Sequence, residues 1–318
     1  MFVLRRLAIG VVTLVVASIV IFLGTSVIPG SPATAVLGRQ SSPQAIAEIN
    51  HRIGYDKPLF ERYVSWLSHA VRGDFGASTV AEVQGTKAPN WPLIRGPFGN
   101  TVVLAMCAVI FLIPLSLLFG LIAGLHSGRW PDHVISTLSM VLMALPEFVI
   151  GSLLIVVFSV WFSLLPPVSL LPPGANPLAH PKILVLPVLT LLGASVAWTI
   201  RLVRVGTIEV LQTDYVHMAR LQGISERKVL RRYVLRNSLA PSVQIFALSI
   251  QYLFGGVIVT ETVFNYPGLG RELVNAVLAH DNTQVQAIAM ILATIYILIN
   301  IIADLTVVLL VPKLRTQA

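Results

Sequence analysis

The sequence predicts an all-α membrane protein with six transmembrane helices. Of its 318 residues, 55% are hydrophobic and only 11% are charged, and the mean hydropathy is +0.82. A soluble globule of this length needs more polar surface than such a composition supplies. The apolar residues are also grouped in stretches of roughly 20 or more, the length at which a helix crosses the hydrocarbon core of a bilayer. A bilayer is therefore the predicted environment.

Six stretches meet this length requirement. They are residues 7–28, 100–125, 133–165, 183–205, 239–263 and 285–311. The first follows Arg5 and Arg6, a pattern that secretory signal peptides share. Its 22 residues exceed the usual apolar core of a signal peptide, and further spans follow it. An uncleaved first helix therefore fits better than a cleaved one.

The positions of the basic residues predict the orientation of these helices. The connection between the fourth and fifth helices holds eight of them: Arg201, Arg204, Arg220, Arg227, Lys228, Arg231, Arg232 and Arg236. Short cytoplasmic loops are enriched in Lys and Arg. We therefore expect this connection to be cytoplasmic, together with both termini, the carboxyl tail carrying Lys313 and Arg315.

These spans suggest a division of the chain into three parts. Residues 1–28 form the first transmembrane helix, residues 29–98 an external subdomain, and residues 99–318 the transmembrane core, which includes the cytoplasmic loop at 206–240. The external subdomain has local helix signals of its own, because Ser42 can cap a helix that Gly54 ends. A second helix is expected between Lys57 and Gly73, with an apolar stripe suited to a membrane face or a partner. The Gly- and Pro-rich stretch 76–99 is expected to be irregular loop.

The cytoplasmic loop predicts two helices joined by a turn. Asp214 can cap a short helix that Gly223 ends, and Ser225 can cap another that begins at Glu226. A basic helical hairpin also occurs in DNA-binding proteins, but a hairpin held between two membrane spans can scarcely enter a groove of DNA. Two interpretations remain open: contact with anionic lipid headgroups, and docking of a cytoplasmic protein onto the hairpin.

This loop, DYVHMARLQGISERKVLRRYVLRNSLAP, resembles the EAA loop of ABC importer permeases. Four further segments look like dipeptide or oligopeptide permease subunits of the first-subunit type. They are RRLAIGVVTLVVASIVIFLGTSVIPGSPA, RIGYDKPLFERYVSWLSHAVRGDFGAS, ETVFNYPGLGRELVNAVLAHD and NIIADLTVVLLVPKLR. The resemblance covers the whole chain and implies the type I ABC importer permease fold.

The resemblance also implies a function and a set of partners. We expect a multi-pass subunit of the cytoplasmic membrane that imports peptides, or alternatively glutathione, a nickel complex or haem. Its expected partners are a second, homologous permease subunit in a heterodimer, two cytoplasmic ATPase subunits or one fused pair, an extracytoplasmic substrate-binding protein and membrane lipid, with no nucleic acid. The chain itself is expected to be neither an enzyme nor a cofactor-binding protein, with ATP and Mg bound by the ATPase subunits. None of its five lysines follows a glycine, so a GxxxxGK[ST] phosphate loop does not occur.

The coupling role carries over residue by residue. It is assigned to Asp214, Tyr215, His217, Met218, Ala219, Gly223, Ser225, Glu226 and Arg227. In the family, a Glu-Ala-Ala triplet precedes the loop glycine, and this chain keeps only Ala219 and Gly223. His217 stands at the glutamate position, so the contact which that glutamate makes must be formed differently here.

Several polar residues fall inside the predicted spans. Glu147 follows Pro146 near the middle of the third span, where an ionised group facing lipid costs at least about 2.5 kcal/mol. We expect Pro146, Glu147 and Glu261 to line the translocation pathway, with structural pairing or a neutral acid as the alternative for Glu147. Asn300 and Asp304 are expected to be structural. An ion-coupled secondary transporter that uses such acids is the rival function, but no inverted repeat supports it.

The second predicted span ends with a run of small residues. Gly120, Gly124 and Gly128 recur at every fourth position near its inner end. Such spacing forms a groove that lets another helix approach closely. We therefore expect a helix-packing surface at these three glycines.

Overall fold

The computed structural model describes residues 2–26, 31–37, 42–172 and 174–310, without the side chains of residues 2, 3, 35, 235–244, 247 and 307–310. The predicted tail residues Lys313 and Arg315 and the side chain of Arg236 lie outside this description. The α-helices of the described residues are α1 Phe2–Ser26, α2 Pro32–Leu37, α3 Pro43–Arg52, α4 Leu59–Val71, α5 Thr79–Val83, α6 Asn90–Leu125, α7 Trp130–Ala144, α8 Glu147–Ile155, α9 Pro181–Leu211, α10 Asp214–Leu221, α11 Glu226–Lys228, α12 Leu235–Val263, α13 Leu269–Leu278 and α14 Asn282–Leu310. Two π-helical segments, Val156–Trp161 and Val229–Val234, extend α8 and α11. The predicted all-α class is confirmed.

Among the described residues, four helices are long and apolar enough to cross a membrane. They are Leu4–Ser26, Asn90–Leu125, Pro181–Leu211 and Asn282–Thr306. The pair formed by α7 and α8 passes the same test as one broken span, and Leu248–Val263 is a shorter apolar helix. Four of the six predicted spans are therefore confirmed as helices of sufficient length, and the total of six stays a prediction.

The third predicted span is not one continuous helix. It consists of Trp130–Ala144 and Glu147–Trp161, which are bent by 103° at the break between them. Pro146 lies at this break with an extended backbone (φ −60°, ψ 147°) and immediately precedes the first residue of α8. A proline lacks the N–H that would continue the helical ladder, and it disfavours helical backbone at the residue before it. The span was predicted from the length of the apolar stretch, and that length carries no information about a change of helix direction.

The chain forms two compact units. The first is built from Val102–Tyr266 together with the segment that begins at Ile299, and the second combines Leu4–Thr101 with Pro267–Leu298. Each unit joins segments that are distant in sequence. The division at 28/29 and 98/99 suggested above remains a prediction about topology.

The local helix signals of the second unit are confirmed. Ser42 caps α3, and its Oγ accepts a hydrogen bond from Ala45 N at 3.2 Å. Gly54 and Gly73 follow α3 and α4 with φ of +69° and +79°, conformations that glycine adopts at little cost. These signals lie within one turn of the residues they affect, which is why the sequence reveals them.

The prediction that 76–99 is irregular loop is wrong for residues 79–83 and 90–99, which are helical. Residues 79–83 form α5, and α6 begins at Asn90 and continues through Pro97. Tertiary packing explains the difference, because Ile94 is fully buried in a cluster with Leu269, Ala287 and Ile288. The Asn100 side chain also donates a hydrogen bond to the Pro267 carbonyl at 2.8 Å. These contacts from distant parts of the sequence outweigh the weak helix propensity of the segment.

Helix α4 packs on the end of α1. Tyr63 Oη and Ser18 Oγ lie 2.9 Å apart, and the Phe22 ring contacts Tyr63 edge-on with the centroids 5.4 Å apart. The ring centroids of Trp66 and Phe22 lie 5.9 Å apart. The predicted apolar stripe of α4 thus partly covers α1, while Phe60, on another face of α4, is 76% exposed.

The core of the first unit surrounds α9. Leu191 and Leu192 of this helix are buried with Leu104, Leu112 and Leu253 in one cluster. Helices α6 and α9 approach so closely at Gly120 and Gly124 that neither position has room for a side chain. A Cβ on Gly120 would lie 2.7 Å from Val203 Cβ, and one on Gly124 would lie 2.7 Å from Thr207 Cβ. The predicted packing surface is confirmed at these two positions. Gly128 does not belong to it, since it follows α6 with φ +75° and no atom of the described part of the chain lies within 4 Å of its Cβ position.

Candidate coupling and pathway sites

Residues 214–234 form a compact helical hairpin, which we call the 214–234 hairpin. Helix α10 ends at Leu221, and Gly223 has φ +73°. Gly223 N donates to the Arg220 carbonyl at 3.0 Å, and Ile224 N donates to the Ala219 carbonyl at 3.2 Å. This pair of hydrogen bonds is a Schellman motif, which needs a residue in the left-handed region at the glycine position. Gly223 therefore sets the angle at which the chain leaves α10.

The first predicted cap of the hairpin is wrong by one position. Thr213 is the N-cap of α10, and Asp214 is its first helical residue. The Thr213 hydroxyl donates to the Val210 carbonyl at 2.6 Å, so it does not cap α10 through its side chain. Asp214 instead places a carboxylate in the first turn, where it interacts favourably with the helix dipole. Ser225 is the N-cap of α11 as predicted, also without a side-chain hydrogen bond.

Hydrophobic contacts and one ion pair hold the hairpin together. Val216 and Ala219 of α10 are buried against Val229 and Val234 of the second arm. Arg220 spans the turn and donates to both carboxylate oxygens of Glu226, at 2.6 and 3.1 Å. The Arg220 guanidinium lowers the pKa of Glu226, a shift that partial burial opposes. Ala219, the one residue of the Glu-Ala-Ala triplet that this chain keeps, is thus part of the interior of the hairpin and not of its surface.

The outward side of α10 carries an unusual number of apolar side chains. Tyr215, Met218 and Leu221 are 41%, 55% and 82% exposed and recur at every third position. Asp214, His217, Arg227 and Gly223 are exposed as well. A helix surface of this kind, with aromatic and Met side chains beside charges, is typical of protein interfaces. Of these apolar residues, Leu221 was not among the predicted coupling residues.

A buried ion pair that was not predicted from the sequence joins α7 to α9. Asp132 is 2% exposed, and its carboxylate accepts hydrogen bonds from Arg204 Nε at 2.5 Å and Nη2 at 2.8 Å. Gly128 N and Ser136 Oγ donate to the same carboxylate at 2.9 and 3.0 Å. Arg204 was predicted only as a basic residue of the cytoplasmic loop. The sequence signal that could have drawn attention to Asp132 is its position directly after Pro131, in the first turn of α7.

Glu147 lies at the break between α7 and α8 and faces α12. It is the first residue of α8, and its carboxylate packs against Gly256, where a Cβ would collide with both carboxylate oxygens. No hydrogen bond or ion pair joins this carboxylate to any other side chain that the structure describes. Tyr252, one turn before Gly256, is 52% exposed. The glycine thus makes room for a half-buried acid beside α12.

The remaining intramembrane polar residues lie inside the protein or between helices. Glu261 is fully buried near the end of α12. Asn300 accepts a hydrogen bond from Gln251 Nε2, which links α14 to α12 and fits the structural role predicted for Asn300. Asp304 lies one turn beyond Asn300 and is partly buried. The roles predicted for Glu261 and Asp304 stay predictions.

These features define a helical protein with several candidate membrane spans and an exposed helical hairpin between α9 and α12. Residues 116–316 match the family described as binding-protein-dependent transport system inner membrane component, and residues 1–90 match the N-terminal domain that accompanies it. The glutathione transport system permease protein GsiC of Escherichia coli (strain K12) is 35% identical over 314 residues, which cover 99% of this chain and 98% of that protein. The GsiC protein of Shigella flexneri serotype 5b is 34% identical with the same coverage.

The chain therefore belongs to the inner-membrane permease family of binding-protein-dependent ABC importers. Members of this family are transport subunits and not enzymes, and ATP hydrolysis takes place in partner subunits. Membership implies ATPase and binding-protein partners and a multi-pass location in the inner membrane.

Proposed function

We propose that this chain is one of two permease subunits of a small-peptide importer, and that the 214–234 hairpin is its point of coupling to the ATPase. The observation that carries the coupling role is the exposed row of Tyr215, Met218 and Leu221 on a hairpin that has a buried apolar interior of its own. An amphipathic helix with such anchors binds in a hydrophobic groove of a partner. In this proposal the hairpin and both chain termini are cytoplasmic, and the second permease subunit is a homologous but different chain.

Peptide cargo is supported by the sequence resemblance and is compatible with the relatives. Their names state that GsiC proteins transport glutathione. Glutathione is itself a short peptide with amino and carboxylate groups, so the two cargo assignments share their chemistry. We propose short peptides of this size as substrates, with nickel complexes and haem as the alternatives to be excluded by uptake measurements.

Within this function we propose that Glu147 lines the pathway. A carboxylate at this depth is costly beside lipid, and the described part of the chain offers it no ion-pair partner. A site facing the pathway supplies water or the cationic group of a cargo instead. The contact of Gly256 with the Glu147 carboxylate and the exposure of Tyr252 support a pathway surface on α12 in this proposal.

A graded series at Gly223 tests the coupling role. Gly223 has φ +73°, and no atom of the described residues lies within 4 Å of its Cβ position, so a side chain there is opposed chiefly by backbone strain. Asn tolerates this conformation, Ala costs about 1–2 kcal/mol, and Pro cannot adopt it and also removes the hydrogen bond to the Arg220 carbonyl. We expect peptide uptake by the reconstituted complex to decline in the order Gly, Asn, Ala, Pro.

The control is Gly206→Ala. Gly206 lies within α9, also has open space, and has an ordinary helical backbone. Uptake and ATP hydrolysis should be measured on the same vesicles, with membrane insertion checked by protease protection. Normal, ATP-driven uptake by a correctly inserted Gly223→Pro protein would refute the coupling role. Uptake driven by a proton or sodium gradient without ATP would instead favour the secondary-transporter alternative.

A further inference from the structure

The second unit contains a cavity of about 410 Å³ whose lining is mainly polar. It lies between the end of α1 and the helices that follow, and Phe22, Tyr55, Arg62, Trp66 and Gln286 contribute to its wall. A volume of this order is within the range of small-ligand sites. Neither the family match nor the coupling and pathway sites explain it.

Arg62 is the best-placed ligand-binding residue of this cavity. Its guanidinium lies over the Tyr55 ring at 4.2 Å and at 5.9 Å from the centroid of Phe22. Among the described residues, no hydrogen bond or ion pair involves the guanidinium of Arg62. Aromatic contacts satisfy the face of a guanidinium but leave the N–H groups along its edge available. Those donors match the oxygens of a phosphate or carboxylate.

The charges around the cavity are balanced but do not pair with one another. Lys57 and Arg62 supply two positive charges, and Glu61 and Glu82 supply two negative charges. In the part of the chain that the structure describes, no ion pair joins any two of these four residues. Opposite charges that line one cavity without neutralising each other suit a ligand that carries both signs.

The apolar surroundings indicate where such a ligand comes from. Beside Phe22 on α1, Leu23 and Val20 are 45% and 63% exposed, and on α4 Phe60 is 76% exposed. Trp66 and Tyr55 line the cavity itself, and Trp and Tyr are enriched at the boundary between hydrocarbon and water. With the amino terminus in the cytoplasm, as proposed above, this end of α1 lies at the outer surface of the membrane. Acyl chains can then lie along α1 while the headgroup enters the cavity.

We propose that this cavity binds the headgroup of a zwitterionic phospholipid of the phosphoethanolamine class. The phosphate is bound by Arg62 and Lys57, and the primary ammonium group by Glu61 and Glu82. A lipid held there would anchor α4 and the end of α1 at the membrane surface.

The test measures lipids that stay bound to the protein. The full transporter is reconstituted in nanodiscs of equal parts phosphatidylethanolamine, phosphatidylcholine and phosphatidylglycerol, then released into detergent and analysed by native mass spectrometry. We expect phosphatidylethanolamine to be enriched over both other lipids. Arg62→Gln should lower its retention about tenfold, as expected when a charge-assisted hydrogen bond is lost. Glu82→Gln should abolish the preference over phosphatidylglycerol while leaving lipid bound.

Matched controls distinguish a headgroup site from general effects on folding. Arg72 ends α4 and Glu48 lies on α3, and both are exposed and outside the cavity wall. Arg72→Gln and Glu48→Gln should retain the wild-type lipid profile. Arg62 is partly buried, so Arg62→Gln could also disturb packing. Lys57 is exposed, and Lys57→Gln therefore tests phosphate binding without that complication.

Three outcomes would overturn the proposal. The first is equal phosphatidylethanolamine retention in the Arg62→Gln, Lys57→Gln and Arg72→Gln proteins, and the second is an unchanged preference in Glu82→Gln. The third is displacement of the bound lipid by the dipeptide alanyl-alanine in an Arg62-dependent manner, which would make the cavity a peptide site. None of these readouts depends on transport, so they are independent of the proposed import function.

Discussion

Replacement of Asp132 by Asn should destabilise the first unit by about 3 kcal/mol. The Asp132 carboxylate is 2% exposed and accepts hydrogen bonds from Arg204, Gly128 and Ser136. Asn keeps the shape but loses the charge, and its amide has only one acceptor oxygen. Removing one member of a buried ion pair costs about 3–5 kcal/mol. We take the lower value because the Arg204 side chain is 27% exposed and part of its charge remains hydrated.

The double variant makes this prediction specific to the ion pair. Arg204→Gln alone should cost a similar amount, since it leaves the Asp132 carboxylate buried without its counter-charge. In the double variant neither charge remains, so we expect a total well below the sum of the two single losses, with a coupling energy of about 2 kcal/mol. Thermal unfolding of the purified complex measures the effect, and about 3 kcal/mol corresponds to a shift of roughly 6–12 °C for a domain of 150–250 residues.

Arg201 supplies the control for this cycle. It lies one turn before Arg204 on α9, is exposed, and has only a weak contact with Met143 Sδ at 3.9 Å. Arg201→Gln should leave the melting temperature nearly unchanged. Strictly additive losses in the double variant, or equal losses for Arg201→Gln and Arg204→Gln, would refute the structural role assigned to the ion pair.

Two further predictions concern small residues and Glu147. Gly120→Ala and Gly124→Ala should each destabilise the protein by about 1–3 kcal/mol, because the new methyl group meets α9 at 2.7 Å. Gly206→Ala should be neutral or stabilising in the same melting assay, and equal effects at all three positions would contradict the close approach of α6 and α9. Glu147→Gln should lower uptake of peptides with basic side chains relative to neutral ones, measured as a ratio in proteoliposomes. Gly256→Ala should have the same effect by displacing the carboxylate, and an unchanged ratio in both variants would exclude Glu147 from the pathway.

The turns and helix ends were predictable because their signals are local. Ser42, Gly54, Gly73 and Gly223 each act on backbone within one turn of their own position, so their neighbours along the chain suffice to define the conformation. The hairpin was predictable for the same reason. Its resemblance to the EAA loop then suggested coupling to ATPase subunits, a role that composition and periodicity cannot indicate.

The predictions that failed concern features that depend on contacts between residues far apart in the sequence. The stretch 76–99 is partly helical because Ile94 packs against residues nearly 200 positions away, and its Gly and Pro content gave no hint of those partners. Asp132 was overlooked because its significance depends on Arg204, which lies 72 positions further along the chain. Gly128 shares a spacing with Gly120 and Gly124, but it falls just beyond the end of α6 and has a turn conformation.

The amino-acid sequence by itself determined the all-α class, the apolar segments, the turn at Gly223 and membership of a permease family, since each of these depends on composition, on local backbone preference or on motifs of consecutive residues. Only the tertiary structure decided the 103° break beside Glu147, the contact of that acid with Gly256, the Asp132–Arg204 ion pair and the charged cavity around Arg62. These features arise where side chains from distant segments meet. Their energies depend on distance, burial and the surrounding charges, and none of these quantities is written in the order of residues along the chain.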